Sequence, residues 1–157
     1  MIKSVLAGAL AVIVAGASLT AQAEVLSAED QIKLRKAGYG YMSWNMGKIK
    51  AQVIDQSVAY NQQQILAAAN TLDAIANSGM GALYGPGTDK QVGSQTTRVK
   101  PEMFDNFADV GKISAQLSEA TNELVAAASA DDQAAIRVAF GNVGQSCKAC
   151  HDKYRMD

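Results

Sequence analysis

The sequence contains a single histidine, two cysteines and two prolines among its 157 residues. One histidine excludes any site that needs two imidazoles, and two cysteines cannot form a scaffold of several disulfides. The formal net charge is −1 and no long basic run occurs, so nucleic acid and anionic membrane surfaces are not expected partners. The composition therefore excludes several classes of metal site and of binding partner.

The chain also lacks a second long apolar run after its first 23 residues. That first stretch has a basic Lys3, an apolar core over residues 5–17 and the small-residue sequence Ala21-Gln22-Ala23. This order is typical of a cleaved secretory signal, and the apolar core is short for a membrane span. We therefore predict a signal peptide over 1–23 and one exported domain over 24–157; a retained membrane anchor is the alternative.

What the rest of the chain does have is helix-forming residues. Four segments rich in Ala, Leu, Gln, Glu and Lys are separated by the glycines and prolines, and no alternating strand pattern occurs. We predict helices over about 27–55, 61–77, 101–130 and from 131 or 132 onward. Mostly short connections favour antiparallel neighbours, so the predicted fold is an all-α, up-down-up-down four-helix bundle.

The first predicted helix has one stripe at alternating spacings of three and four, which is typical of a buried face. Its members are Ile32, Arg35, Tyr39, Met42, Met46, Ile49 and Val53. Arg35 is unexpected there, because an unpaired buried guanidinium is unfavourable. Either an anionic group pairs with it, or its stem lies on the core and its head reaches water. Tyr39 is flanked by Gly38 and Gly40, which would allow a close approach.

Cys147 and Cys150 lie near the C-terminus and His151 follows directly. C-x-x-C-H is the attachment sequence of a c-type haem, in which two thiols form thioethers and the histidine binds iron. On a helix these side chains lie within one turn of each other. A redox pair, a zinc site and a disulfide are weaker alternatives, because the chain lacks a strand-helix context, further ligands and a sizeable closed loop.

The single histidine also limits the other side of the iron. Bis-histidine ligation is excluded, so the sixth position is either empty or bound by methionine, and helical methionines are more often core residues. The candidates are Met42, Met46, Met80 and Met103. A haem propionate would pair with Arg35, and Tyr39 either faces the haem or is ordinary core.

Four segments together resemble the cytochrome c′ family: CKACHDKYR, EDQIKLRKAGYGYM, MGALYGPGTDK and TRVKPE. The resemblance implies a left-handed bundle, usually a homodimer, with a five-coordinate haem that admits NO and CO. It also implies a distal role for Tyr39 and a propionate-binding role for Arg35. The other implied haem neighbours are Lys36, Thr97, Arg98 and Arg155.

From this resemblance we expect a periplasmic haem protein that transfers electrons and binds NO and CO, and that is not an enzyme. The chain offers no distal histidine or acid of the kind that peroxidase chemistry needs. The rival interpretation is a low-spin electron carrier with Met42 as sixth ligand, and a third is a bundle that merely stores haem. Trp44 and the Ala-rich second helix are the candidate dimer surface. The redox partner is not identified by the sequence.

Overall fold

The computed structural model describes residues 26–157, so the predicted signal peptide lies outside the described residues. Consecutive helices pack against each other, and only isolated β-bridges occur in this part of the chain. No helix in it is long and apolar enough to cross a membrane. The predicted all-α four-helix bundle is confirmed. The helices are α1 Ala28–Ile49, α2 Gln62–Ala76, α3 Phe107–Ser129 and α4 Gln133–Tyr154.

Three helices begin at polar caps that lie at their predicted starts. The Ser27 hydroxyl accepts a hydrogen bond from the Asp30 amide at 3.1 Å, and the Asn61 side chain accepts one from the Gln64 amide at 3.0 Å. The Asp132 carboxylate accepts two from the first turn of α4, each at 3.0 Å. These caps satisfy amides that a helix start leaves without partners, which is why the predicted starts are confirmed.

The first helix does not remain α-helical to residue 55 as predicted. Its last turn, Lys50–Ile54, is π-helical and contains the buried Gln52. Gln52 donates to Gln64 Oε1 at 3.1 Å and accepts from the Asn61 amide at 2.8 Å. The π-helical turn thus contains a polar side chain whose hydrogen bonds join the end of the first helix to the start of α2.

The third helix also begins later than predicted. Pro101–Asp105 forms a separate 3₁₀ turn, and the backbone leaves helical geometry at Asn106. The Asn106 side chain donates to the Glu102 carbonyl at 2.7 Å, a local bond that competes with helix continuation. The spacing of apolar residues in the third segment predicts that Phe107 faces inward. This prediction is wrong: Phe107 opens α3 and is 49% exposed.

The buried side chains form two hydrophobic clusters. The smaller cluster lies beside the long loop over residues 78–100 and consists of Val99, Met103, Ile113 and Tyr154. The larger cluster fills the bundle between the helices. It consists of Met42, Ile49, Val53, Ile65, Ala68, Ala69, Leu72, Ala120, Leu124, Ala127, Ala128, Ile136, Ala139 and Val143.

Leu124 tests the importance of the larger cluster, because its side chain is fully buried there. Leu124→Ala should lower the free energy of unfolding by about 3 kcal/mol, through lost burial and the cavity left behind. Val138→Ala is the matched control, since Val138 is 66% exposed and should change it by less than about 0.5 kcal/mol. Urea unfolding measures both, and equal effects would contradict this assignment of the core.

Candidate haem site

At one end of the bundle α1 and α4 do not pack directly on each other, and we call the space between them the cleft. At the other end α4 packs on the π-helical turn Lys50–Ile54, where Arg137 Nε donates to the Val53 carbonyl at 2.9 Å. Among the described residues, α4 makes no comparable packing with α1 itself. The N-terminal half of α1 and the C-terminal half of α4 are therefore the two walls of this opening.

Both cysteines lie on the α4 wall. They are half-buried and not joined as a disulfide; Cys147 packs against the larger cluster and Cys150 against the smaller one. Burial raises the pKa of both thiols. A redox-active pair requires a lowered thiol pKa, so the surroundings disfavour the redox alternative.

Tyr39 lies on the α1 wall of the same cleft. Its side chain is 41% exposed, yet burial raises the pKa of its phenol, and Cys147 and Cys150 add to the effect. The exposed fraction and the raised pKa both fit a tyrosine whose hydroxyl lies deep in the cleft while part of its side chain contacts solvent. The structure thus brings together the tyrosine of the α1 stripe and the two cysteines of the C-terminal motif.

Arg35 is buried on α1, with only 3% of its surface exposed. One terminal nitrogen donates to the Leu83 carbonyl at 3.0 Å and to Thr88 Oγ1 at 2.9 Å. The other donates to the Thr88 carbonyl at 2.5 Å and to Thr97 Oγ1 at 2.8 Å. The predicted alternative with the head in water is therefore wrong: the loop supplies neutral acceptors for the guanidinium.

These bonds use four of the five guanidinium N–H groups. A salt bridge between Arg35 and a haem propionate stays a prediction. It would have to form through the fifth N–H group or replace a bond to the loop.

The loop over residues 78–100 is anchored on α1 at further points. Gln31 Oε1 accepts from the Gly85 amide at 2.9 Å, and the Glu29 carboxylate accepts from the Ser94 amide and hydroxyl at 2.9 and 2.8 Å. The bonds from Ser94 lower the pKa of Glu29. Several side chains of α1 therefore fix one long segment against it.

The end of the loop joins the C-terminal end of α4. The Lys100 amide donates to the Tyr154 carbonyl at 2.8 Å, and the Met156 amide donates to the Arg98 carbonyl at 2.7 Å. The loop thus runs from one wall of the cleft to the other. The sequence alone did not indicate which residues make these contacts.

His151, Arg98 and Arg155 line a second, exposed crevice at the end of α4. The helical spacing predicts that His151 shares the inward face of α4 with Cys147, but in the structure this residue is exposed. Arg155 Nη1 lies 3.3 Å from His151 Nδ1. Lys36 lies outside both groups on the exposed side of α1, with its Nζ 3.4 Å from Gln95 Oε1.

The four candidate methionines all have packing roles. Met42 and Met103 are buried in the larger and the smaller cluster, and Met46 packs against the larger one. Met80 packs on Gly38, where an added Cβ would lie 2.9 Å from Met80 Cε. The close approach that Gly38 permits is therefore made by a loop side chain, and no comparable neighbour lies beside Gly40.

The arrangement of the cleft agrees with the comparisons to known proteins. A sequence model described as cytochrome c′ matches residues 30–155. The chain belongs to the cytochrome c′ family. It is similar to cytochrome c′ of Allochromatium vinosum, with 54% identity over 98% of each chain, and to that of Rhodocyclus tenuis, with 43% identity over 84% of this chain and 98% of the relative.

Solved structures show the same similarity. Cytochrome c′ from Thermochromatium tepidum matches with a TM-score of 0.80 and 57% identity, over 85% of this chain and 99% of the other. Membership of the family makes this chain a haem protein. The donors near the end of α4 fit a covalent haem, because two thiols and the imidazole of the next residue are the groups that such an attachment uses.

Sequence reasoning missed Thr88, which is fully buried between Arg35 and the loop backbone. Its hydroxyl accepts from Arg35 and donates to the Gly85 carbonyl, each at 2.9 Å. The only signal was its place directly after the turn-forming Pro86 and Gly87. That pattern predicts a turn but does not reveal a partner 53 residues away.

Thr88→Val should lower the free energy of unfolding by about 1–3 kcal/mol, because it leaves Arg35 and Gly85 without one partner each at nearly unchanged volume. Thr71→Val is the control, since the Thr71 hydroxyl only bonds its own helix at the Ala67 carbonyl. Denaturant titration of both variants measures the difference. A Thr88→Val variant as stable as the control would argue against the loop anchor.

Proposed function

We propose that the protein is a periplasmic cytochrome c′ with one haem c joined to Cys147 and Cys150 by thioethers and ligated by His151. It transfers electrons and binds NO and CO at a five-coordinate iron, and it is not an enzyme. One observation carries this proposal: Cys147, Cys150 and His151 lie together near the end of α4, and both thiols are half-buried and not joined as a disulfide.

When bound, the haem supplies an iron that changes between ferric and ferrous states and takes a small gas at its open position. The chain's part on the proximal side is to orient the imidazole. Arg155 Nη1 lies 3.3 Å from His151 Nδ1 and limits how far the ring can turn.

The chain's part on the distal side is to limit access. Tyr39 is the aromatic side chain that reaches toward the cysteines from α1, so a gas molecule has to pass its ring. Relatives support gas binding: solved structures of Alcaligenes xylosoxidans cytochrome c′ variants include a nitric oxide complex and a carbon monoxide complex, each 32% identical to this chain with TM-scores of 0.74 and 0.73.

The ferrous protein should show a high-spin visible spectrum that shifts when CO is added. The reason is that Met42, the leading candidate for a sixth ligand, is committed to the larger cluster. Met42→Leu keeps the apolar volume and should leave both spectra unchanged. Sharp, split low-spin bands that do not respond to CO, and that Met42→Leu abolishes, would establish the methionine-ligated alternative.

Export to the periplasm is supported by the extent of the comparisons. Two solved relatives are matched over nearly their whole length, 99% and 98%. The same matches cover only 85% and 84% of this chain. The uncovered share is about as long as the predicted signal peptide. Haem attachment to a C-x-x-C-H motif in an exported chain agrees with that location.

A homodimer is the assembly that we propose. An apolar stripe on the outer face of α1 contains Leu34, Tyr41 and Trp44, each 46–54% exposed. The Tyr41 and Trp44 rings contact each other with centroids 5.3 Å apart, and Lys48 Nζ lies 3.5 Å from the Trp44 ring centroid. A similar cytochrome c′, 56% identical with a TM-score of 0.80, is described as having ligand-controlled dimer dissociation.

Trp44→Ala should weaken self-association at least about tenfold, because exposed tryptophans at an interface commonly contribute much of its binding energy. Val138→Ala on α4 provides the control, since its side chain is more exposed but stands alone. Analytical ultracentrifugation over a concentration series gives both dissociation constants. A wild-type protein that stays monomeric at high micromolar concentration would refute the proposed dimer.

A further inference from the structure

His151 lies in the last turn of α4, close to the end of that helix. The helix ends at Tyr154, three residues further on, and the backbone of Arg155 is already extended. The ends of helices open easily unless other groups fix them. An iron ligand in such a turn keeps one orientation only if the turn is held from outside the helix.

Tyr154 is the residue that joins this turn to its surroundings. It is 8% exposed and belongs to the smaller hydrophobic cluster, against which Cys150 also packs. Its hydroxyl donates to Asp109 Oδ2 at 2.7 Å, and its carbonyl accepts from the Lys100 amide at 2.8 Å. The ring, the hydroxyl and the backbone of Tyr154 are thus all held by residues outside α4.

Asp109 is well placed to accept this bond. It lies in the first turn of α3, where the free backbone amides and the helix dipole stabilise a negative charge. Hydrogen bonds from Lys153 and Tyr154 lower the pKa of its carboxyl further. The bond from the Tyr154 hydroxyl therefore ends on a charged acceptor, and such bonds are shorter and stronger than bonds between neutral groups.

Lys153 makes a second contact from α4 to the same carboxylate. Its Nζ lies 2.9 and 3.2 Å from the two Asp109 oxygens. The side chains of this ion pair are 54% and 37% exposed, so water and salt weaken it, and such pairs contribute little. The bond from the buried Tyr154 is therefore the stronger restraint on the turn.

Arg155 connects the fixed Tyr154 to the imidazole. The Arg155 amide donates to the His151 carbonyl at 3.1 Å, and its guanidinium Nη1 lies 3.3 Å from His151 Nδ1. Both contacts depend on where Tyr154 places the backbone at the end of α4. A turn released from α3 would let the imidazole change its angle.

We propose that Asp109 is a positioning residue for the haem: it accepts the Tyr154 hydroxyl, fixes the last turn of α4 against α3, and so holds the His151 imidazole in one orientation toward the iron. Asp109 acts through Tyr154, and Lys153 has a minor part. This inference rests on the proposed function, because it assumes that His151 is the iron ligand.

The first test is the iron–histidine stretching band in the resonance Raman spectrum of the ferrous holoprotein, which responds to the strength and orientation of that bond. Tyr154→Phe keeps the ring in the cluster and removes the hydroxyl, so the band should shift and broaden. Asp109→Ala should shift it in the same direction. The double variant should add little to either change, because both substitutions remove the same hydrogen bond.

Tyr60→Phe is the matched control. The Tyr60 hydroxyl also donates to an aspartate, Asp131 Oδ1 at 2.5 Å, but beside the start of α4. Its removal should leave the band in place. An unshifted band in Tyr154→Phe, or an equal shift in Tyr60→Phe, would overturn the positioning role alone. A wild-type protein without the band would refute five-coordinate ligation by His151, and the positioning role with it.

Hydrogen exchange follows the turn itself and does not depend on the iron. The Arg155 amide is bonded to the His151 carbonyl, so its exchange rate reports how often the turn opens. Tyr154→Phe should accelerate this exchange roughly ten- to a hundredfold, the range for one lost hydrogen bond to a charged group. Tyr60→Phe should leave it near the wild-type rate. Exchange as slow in Tyr154→Phe as in wild type would show that Asp109 does not fix the turn.

Discussion

The buried guanidinium of Arg35 is the interaction on which the cleft depends. A charge in that position needs hydrogen-bond acceptors from every direction, and α1 cannot supply them because its own carbonyls bond within the helix. The acceptors come from Leu83, Thr88 and Thr97, which are spread over much of the long loop. One side chain therefore decides where that loop lies, and through the loop's junction with Tyr154 it also ties α1 to the end of α4.

The sequence predicts those parts of the structure that depend on local chemistry. Ser27, Asn61 and Asp132 begin helices because a side-chain oxygen next to free amides is favourable whatever the rest of the chain does. The haem motif is equally local, since its three functional residues lie within one helical turn. Such features could be assigned before the structure was known.

The remaining features depend on contacts between distant residues. Thr88 looks like any turn residue until Arg35 is placed against it, and Phe107 looks inward-facing until Asn106 interrupts the helix. The depth of Tyr39 in the cleft could not be predicted either, because the stripe periodicity shows which face of α1 a residue occupies but not how far α4 lies from it. These are tertiary effects that override a correct local pattern.

Loop anchoring also explains why some positions on the loop must be small. An added Cβ at Gly85 would lie 2.6 Å from Gln31 Oε1, the atom that accepts the Gly85 amide, so a larger residue would break this bond between the loop and α1. On the helix side, Gly38 allows the Met80 side chain of the loop to pack against α1, because it has no Cβ. The helix and the loop are therefore fitted to each other at these two glycines.

The charge of Arg35 has one further consequence. Its partners are carbonyls and hydroxyls, and the ion pairs within residues 26–157 join other side chains. Dipoles solvate the guanidinium but do not cancel its positive charge, which remains at the wall of a partly desolvated cleft. Under the proposed function, we expect the anionic propionates of the haem to favour this end of the opening. The group that orders the loop would then also select the orientation of the cofactor.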